Sequence, residues 1–247
     1  QCHKDYEHPI NYAAVGPASE KENPATTIPR LLRIAAETMG DKPAMRVERE
    51  GGRADGATPG GAAFLARQLK APTDAPPSEH RTNKQAWCEW TYREYYDESR
   101  DLAKAFITKG VEQFDAVAIF GFNSPEWLMA SQGTFMTGAK TAGIYPTDTP
   151  EQIAYKCNHS GAKAIVLEDK HCLDKYAEVA DQVKDVSTIV VWNTVGITED
   201  KLSGGQAIVP WAEMIKLGKA QDDTEVEQRL ANIRPGHCCC LIYTSGT

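Results

Sequence analysis

The residues with the plainest chemical potential stand at the end of the sequence, where an apolar run, Cys238 to Tyr243, passes at once into Thr244-Ser245-Gly246-Thr247. A run of that length fits a buried strand. Hydroxyl residues around a glycine can turn several N–H groups and Oγ atoms toward one point. A polyphosphate needs such a concave nest of donors, because its charge is too dense for lone side chains. Thr244, Ser245, Gly246 and Thr247 are therefore candidate phosphate-binding residues, placed to position charge and not to exchange protons. The same residue types make ordinary strand-end turns, which is their more frequent use, so the loop needs support from elsewhere in the chain.

Other constellations carry less. The sequence has neither a Gly-x-x-x-x-Gly-Lys-Ser/Thr loop nor a Gly-x-Gly-x-x-Gly turn after a strand, which weakens the case for the common nucleotide folds. Cys157, His159, His171 and Cys172 have zinc-ligand side chains, but their spacing matches none of the usual pairs, and no metal ligand is assigned. No nucleophile–base pair can be read from spacing, so no catalytic residue is assigned either. Asn158-His159-Ser160 has the form of a glycosylation acceptor, yet it falls near the end of a helix. The seven cysteines are odd in number and irregularly spaced, with three in a row at 238–240. That is a poor disulfide framework and fits a reducing compartment.

Any such site must be positioned by the elements before it. From Thr27 onward helical and strand patterns alternate, the order of βα units around a mostly parallel sheet, so an α/β fold is expected. Thr27 can cap a helix to Met39, with Leu31, Leu32, Ala35 and Ala36 on one face and Gly40 as its stop. Ala44 to Val47 then reads as a short strand. Residues 48–86 are dominated by Gly, Ala, Pro, Thr and charge with little to bury, and read as a disordered insertion.

Thr91-Tyr92-Arg93-Glu94 is a capping box opening a helix through Tyr95, Leu102, Ala103, Phe106 and Ile107 to Gly110, before a strand Ala116 to Phe120. Ser124-Pro125-Glu126 opens a helix through Trp127, Leu128 and Phe135, and Thr149-Pro150-Glu151-Gln152 repeats that device. Ala164 to Leu167 and Thr188 to Val191 read as strands on either side of a helix from about Cys172 to Val183. A weaker helix covers Thr224 to Ala231. Residues 1–23 form an extension, and 24–247 one domain that contains the insertion.

Composition bounds the partners. Of 247 residues 41% are hydrophobic and 25% charged, an ordinary globular balance. A net charge of −7, without a Lys/Arg-rich block, makes nucleic acid an unexpected partner. The longest apolar runs, 116–122 and 238–243, fall far short of the roughly 20 residues that span a bilayer, and no transmembrane segment is expected. The sequence begins at Gln1 with no leader in view, which reads as a fragment start.

Four stretches carry a resemblance, in order along the chain: Trp90-Thr91-Tyr92-Arg93-Glu94-Tyr95, Phe122-Asn123-Ser124-Pro125-Glu126-Trp127, Gly143-Ile144-Tyr145-Pro146-Thr147 and Leu241-Ile242-Tyr243-Thr244-Ser245-Gly246-Thr247. They resemble successive landmarks of the adenylate-forming (AMP-binding) superfamily, in particular the long-chain fatty acyl-CoA synthetases of the bubblegum type. The last resembles the start of that superfamily's ATP loop, which would continue Thr-Gly-x-Pro-Lys-Gly. The resemblance runs from Pro24 to Thr247 except for 48–86, which looks foreign to the family.

The resemblance implies the incomplete amino-terminal part of a large adenylation domain, and a two-step reaction with ATP, Mg2+ and CoA that activates a fatty carboxylate and transfers it to a thiol. Thr244, Ser245, Gly246 and Thr247 would hold the β- and γ-phosphates. The remaining ATP-site parts would lie beyond Thr247, so this chain alone is expected to be inactive and, with an apolar edge after its last strand, poorly soluble. Trp127 and Phe135 read as core, and Gly143 to Thr147 as a strand and turn supporting the sheet. The family also implies a cytoplasmic location, with peripheral attachment at the endoplasmic reticulum. Two other readings stay open: an adenylating ligase for another carboxylic acid, and a non-catalytic α/β interaction module.

Overall fold

The structure, a computed structural model, describes residues 9–48 and 87–244. The segment 48–86 lies, except for Glu48, outside the described residues, as do Ser245, Gly246 and Thr247. In chain order the elements are helix α1 (Ile28–Thr38), strands β1 (Pro43–Glu48) and β2 (Trp87–Thr91), helix α2 (Tyr92–Thr108), strand β3 (Ala116–Phe120), helix α3 (Pro125–Met136) and strand β4 (Lys140–Ile144). Next come helix α4 (Pro150–Ser160), strand β5 (Ala162–Leu167), helix α5 (Lys170–Ala177), strands β6 (Thr188–Val191) and β7 (Ala207–Pro210), helices α6 (Trp211–Lys219) and α7 (Thr224–Asn232), and strand β8 (Cys240–Leu241).

Five consecutive apolar residues leave β3 no polar face, so it has to be covered on both sides. All five are buried, and their alternation divides the interior: Ala116, Ala118 and Phe120 join one core, Val117 and Ile119 another. The first core is closed by Ile153 and Cys157 of α4 and Leu173 and Tyr176 of α5, the second by Leu102 and Phe106 of α2, Met129 of α3 and Trp211 of α6. Each fully buried large apolar side chain contributes about 1.5–3 kcal/mol. Outside these layers, Leu32 and Ala36 of α1 and Val226 of α7 pack on Tyr96 and Ala103 of α2.

β3 pairs with β4 on one side and β5 on the other, and the six-stranded sheet has the order β7-β6-β5-β3-β4-β8 with every ladder parallel. The α/β reading of the sequence is thus the observed fold. β1 and β2 form a separate antiparallel ribbon, so the first strand does not join the βα alternation.

The helix starts are local chemistry. Thr27, Thr91, Ser124 and Thr149 each accept an N–H from the residue three further on, and Glu94 and Gln152 reach back to complete two capping boxes. Such a cap is worth about 1 kcal/mol.

Three expectations need correction, and one unit carried no expectation. The buried stripe of α1 is Pro29, Leu32 and Ala36, while Leu31 is exposed, because an outer-layer helix meets its neighbour along one narrow line. The helix expected over Cys172 to Val183 is α5 and then a separate 3-10 turn, Ala180–Gln182. The β7–α6 unit was not expected at all. Cys238 to Tyr243 is not a buried strand: only Cys240 and Leu241 pair, Cys240 is exposed and Ile242 is 78% exposed. Among the described residues β8 has one neighbour, β4, and an edge strand is covered on one side only.

Helix α6 presses against α2 at Gly218, where a Cβ would stand 1.8 Å from the carbonyl oxygen of Asp101. Backbone cannot yield as a side-chain tip can. Gly218→Ala is expected to cost about 3 kcal/mol, roughly 10 °C in a thermal melt for a chain of this size. Gly204→Ala, whose Cβ would meet nothing closer than 3.8 Å, should leave the melting temperature unchanged; equal melts for the two variants would refute the close helix contact.

Candidate functional site

A parallel sheet delivers its carboxyl strand ends to one edge, which is where open α/β sheets bind ligands. Here the segments leaving β3 (Gly121, Phe122, Asn123), β4 (Tyr145, Pro146) and β8 (Ile242, Tyr243) meet Trp127, Leu128 and Phe135 of α3 around a cavity of about 640 Å3. Phe122, Leu128, Tyr145 and Ile242 are exposed large apolar side chains, and all four line this one cavity. Scattered exposed apolar residues need no explanation, but a cluster around a concavity marks a binding surface.

Each strand end is held by a specific device. A Cβ on Gly121 would lie 2.6 Å from the Trp192 ring and 2.7 Å from the Cβ of Glu168, so only glycine lets the chain leave β3 there. The Glu168 carboxylate then accepts the Phe122 N–H at 2.7 Å. After β4 the Asp148 carboxylate accepts the Tyr145 N–H at 2.8 Å, closing a turn, and Lys175 Nζ donates to the carbonyls of Pro146 and Asp148 at 3.2 and 2.6 Å. Lys156 forms a buried ion pair with Asp148, the two side chains being 8% and 10% exposed. After β8 the Tyr243 hydroxyl donates to the Lys156 carbonyl at 3.3 Å and lies 3.0 Å from His159 Nδ1.

The structure places Thr244, exposed, directly after this anchored tyrosine; the other candidate phosphate residues, Ser245, Gly246 and Thr247, fall outside the described residues. Trp127 and Phe135, expected as core, are half-buried and line the cavity, Trp127 also touching the core behind it. Of the Gly143 to Thr147 stretch, Gly143 and Ile144 belong to the sheet, but Tyr145 and Pro146 line the cavity as well. The four zinc-type residues are not gathered: Cys157 and Cys172 are buried in the core, His159 and His171 lie on exposed helix surface. Among the described residues no group of three or more His, Cys, Asp or Glu is arranged to hold a metal. Asn158 of the glycosylation triplet ties α4 to the chain after α5, donating to the Gln182 carbonyl at 2.9 Å and accepting the Lys184 N–H at 3.1 Å.

Sequence reasoning missed Asp148, Lys156 and Glu168. In sequence they are ordinary charged residues at loop and helix positions; Asp148 and Lys156 are buried and Glu168 half-buried, a signal that appears only when the strand ends converge.

A parallel α/β sheet with an apolar cavity at its carboxyl edge has the form of a ligand-binding α/β domain. The AMP-binding enzyme family matches residues 67–247, and the chain belongs to that family. The match begins inside the 48–86 segment. The chain is 35% identical over 162 residues to the long-chain-fatty-acid–CoA ligase ACSBG2 of Xenopus laevis, covering 65% of this chain and 21% of that protein. It is 31% identical over 164 residues to ACSBG1 of Rattus norvegicus, covering 66% and 22%. The matched part thus spans about a fifth of the length of these bubblegum-type relatives.

Among solved structures the fold resembles VinN (TM-score 0.54, 14% identity, covering 90% of this chain and 43% of that one). It also resembles a long-chain-fatty-acid-CoA ligase, FadD1, from Archaeoglobus fulgidus (TM-score 0.53, 16% identity, 85% and 32%). Among the described residues no helix is long and apolar enough to cross a membrane.

The six described cysteines are free thiols. Burial pushes Cys157 and Cys172 up from an ordinary 9.0 to about 12. Below pH 9 both thiols are protonated folded or unfolded, and the fold keeps its full stability. As pH rises from 9 toward 12 the unfolded chain sheds those protons while the folded chain holds them, so stability falls across that window. Iodoacetamide at pH 8 should modify the exposed Cys240 and spare Cys157 and Cys172 until the chain unfolds, and thermal melts should drop as pH rises past 9. Native labelling of Cys157 as fast as Cys240 would contradict the packing of α4 on the sheet.

Proposed function

We propose that this chain supplies the amino-terminal part of an ATP-dependent long-chain fatty acid–CoA ligase. In this reading Thr244, Ser245, Gly246 and Thr247 hold the ATP phosphates and the adjoining cavity takes acyl chain. The observation that supports the reading is spatial: Tyr243, the residue before Thr244, lines an apolar cavity, so in this reading a site for dense negative charge and a site for hydrocarbon adjoin. A fatty acid being activated by ATP joins those two chemistries in one substrate pair. The family match and the names of the curated relatives support the same choice over other carboxylic acids and over a non-catalytic module.

A carboxylate oxygen attacks the α-phosphorus of ATP, the α–β phosphoanhydride bond breaks, and pyrophosphate leaves. The CoA sulfur then attacks the acyl carbon, the bond from that carbon to the adenylate oxygen breaks, AMP leaves and the thiol proton passes to solvent. In this reading the loop residues stabilise charge gathering on pyrophosphate through hydroxyl and backbone N–H donors. Mg2+, bound with ATP, would supply neutralisation of phosphate charge; no described side chain is assigned to it. A position at the cytoplasmic face of the endoplasmic reticulum, where long-chain fatty acids partition, fits this substrate.

The test is palmitate-dependent ATP–pyrophosphate exchange and palmitoyl-CoA formation by the full-length protein. Thr244→Ala should lower kcat/KM for ATP by roughly tenfold to a hundredfold, somewhat less than the loss of a fully enclosed oxyanion donor. Leu128→Trp, which fills the cavity, should move the preferred acid to shorter chains without changing the KM for ATP. Exchange driven only by short, aryl or amino acids would overturn the long-chain reading, and absence of exchange with any acid would overturn ligase activity.

A further inference from the structure

β8 is too short to aim the residues after it. Its ladder to β4 spans two residues, with the Thr141 N–H bonded to the Cys239 carbonyl at 2.9 Å, and Ile242 stands exposed. The Tyr243 side chain is the group that fixes the chain just before Thr244. Its ring meets Tyr155 and His159 edge-on, at 6.4 and 5.7 Å between centroids, and its hydroxyl is tied to α4. Above it sits the Lys156 ammonium, 5.4 Å from the Tyr243 ring centroid and 4.8 Å from that of Tyr145.

Burying a lysine is costly unless its charge is paired, and Asp148 is the paired carboxylate. Asp148 is itself fixed by the Tyr145 N–H and, through its carbonyl, by Lys175. One ammonium therefore touches the aromatic faces that end β4 and β8, strands whose own ladder ends a residue or more earlier.

We propose that Lys156, held by Asp148, is a positioning residue: its contacts with Tyr145 and Tyr243 set the distance between the cavity wall and the root of the phosphate loop. It touches neither ATP nor the acid and acts through the two rings. The proposal rests on the ligase reading for its consequence in catalysis, but the contact itself does not.

The experiment compares Lys156→Met, Tyr243→Leu and the double variant in the full-length protein. KM for ATP, KM for palmitate and hydrogen exchange of residues 244–247 are measured, with the melting temperature as a control. Removing a partly desolvated cation–π contact predicts a rise of roughly tenfold in KM for ATP in either single variant. The double variant should lose less than the two single losses combined, because the contact between Lys156 and Tyr243 is removed by either substitution. Exchange at 244–247 should quicken while the helices around β3 keep their protection.

Tyr243→Leu leaves the buried ion pair whole, so it gives a reading even where Lys156→Met unfolds the chain. Unchanged KM for ATP and unchanged loop exchange in Tyr243→Leu would overturn the proposal, as would additive losses in the double variant. If wild-type protein activates no acid and the loop still loosens in both single variants, the ligase reading falls and the positioning role stands.

Discussion

The structure depends on the full burial of β3. Its five apolar side chains must be covered from both faces, which commits the chain to helices on each side and to parallel neighbours, since each crossover helix returns the chain to the same starting edge. Parallel order in turn puts the exits of β3, β4 and β8 at one edge. The cavity, the turn at Tyr145 to Asp148 and the approach to Thr244 adjoin for that reason.

Around that edge the backbone supplies direction and side chains supply precision. The glycine at 121 lets the chain turn against Trp192, Glu168 fixes the next N–H, and the Asp148–Lys156 pair with two tyrosine rings ties the end of β4 to the end of β8. These devices are charged or polar groups in partly buried positions, where an unpaired partner is costly, so each stabilises one geometry more than it stabilises the fold as a whole. In the proposed reading, these fixed strand ends set the apolar cavity wall against the approach to Thr244.

Features decided within a few residues were legible in the sequence. The caps at Thr27, Thr91, Ser124 and Thr149 lie where their residue types put them, and β3 and β6 match the apolar runs that predict them. Features that depend on distant neighbours were not. α6 comes after Pro210 with no side-chain cap, so it lacks a start signal, and β7 offers only three apolar residues before that proline. Cys238 to Tyr243 has the composition of a buried strand, yet burial depends on neighbours on both sides and the described residues supply one. Thr244 to Thr247, of which only Thr244 lies among the described residues, stood out as candidate phosphate residues because hydroxyl and glycine chemistry is local. Lys156 did not, since its role needs Tyr145, Asp148 and Tyr243 gathered around it.

In the proposed reading this sheet edge belongs to an enzyme that activates a carboxylate as its adenylate. The most direct measurement traces oxygen-18 from palmitate labelled in its carboxylate, through turnover of the full-length protein with ATP, Mg2+ and CoA, into the nucleotide product. Attack on the α-phosphorus leaves one carboxylate oxygen on phosphorus when the thiol displaces the adenylate, so the account predicts AMP carrying a single heavy oxygen. Unlabelled AMP, or ADP with the label in inorganic phosphate, would contradict it.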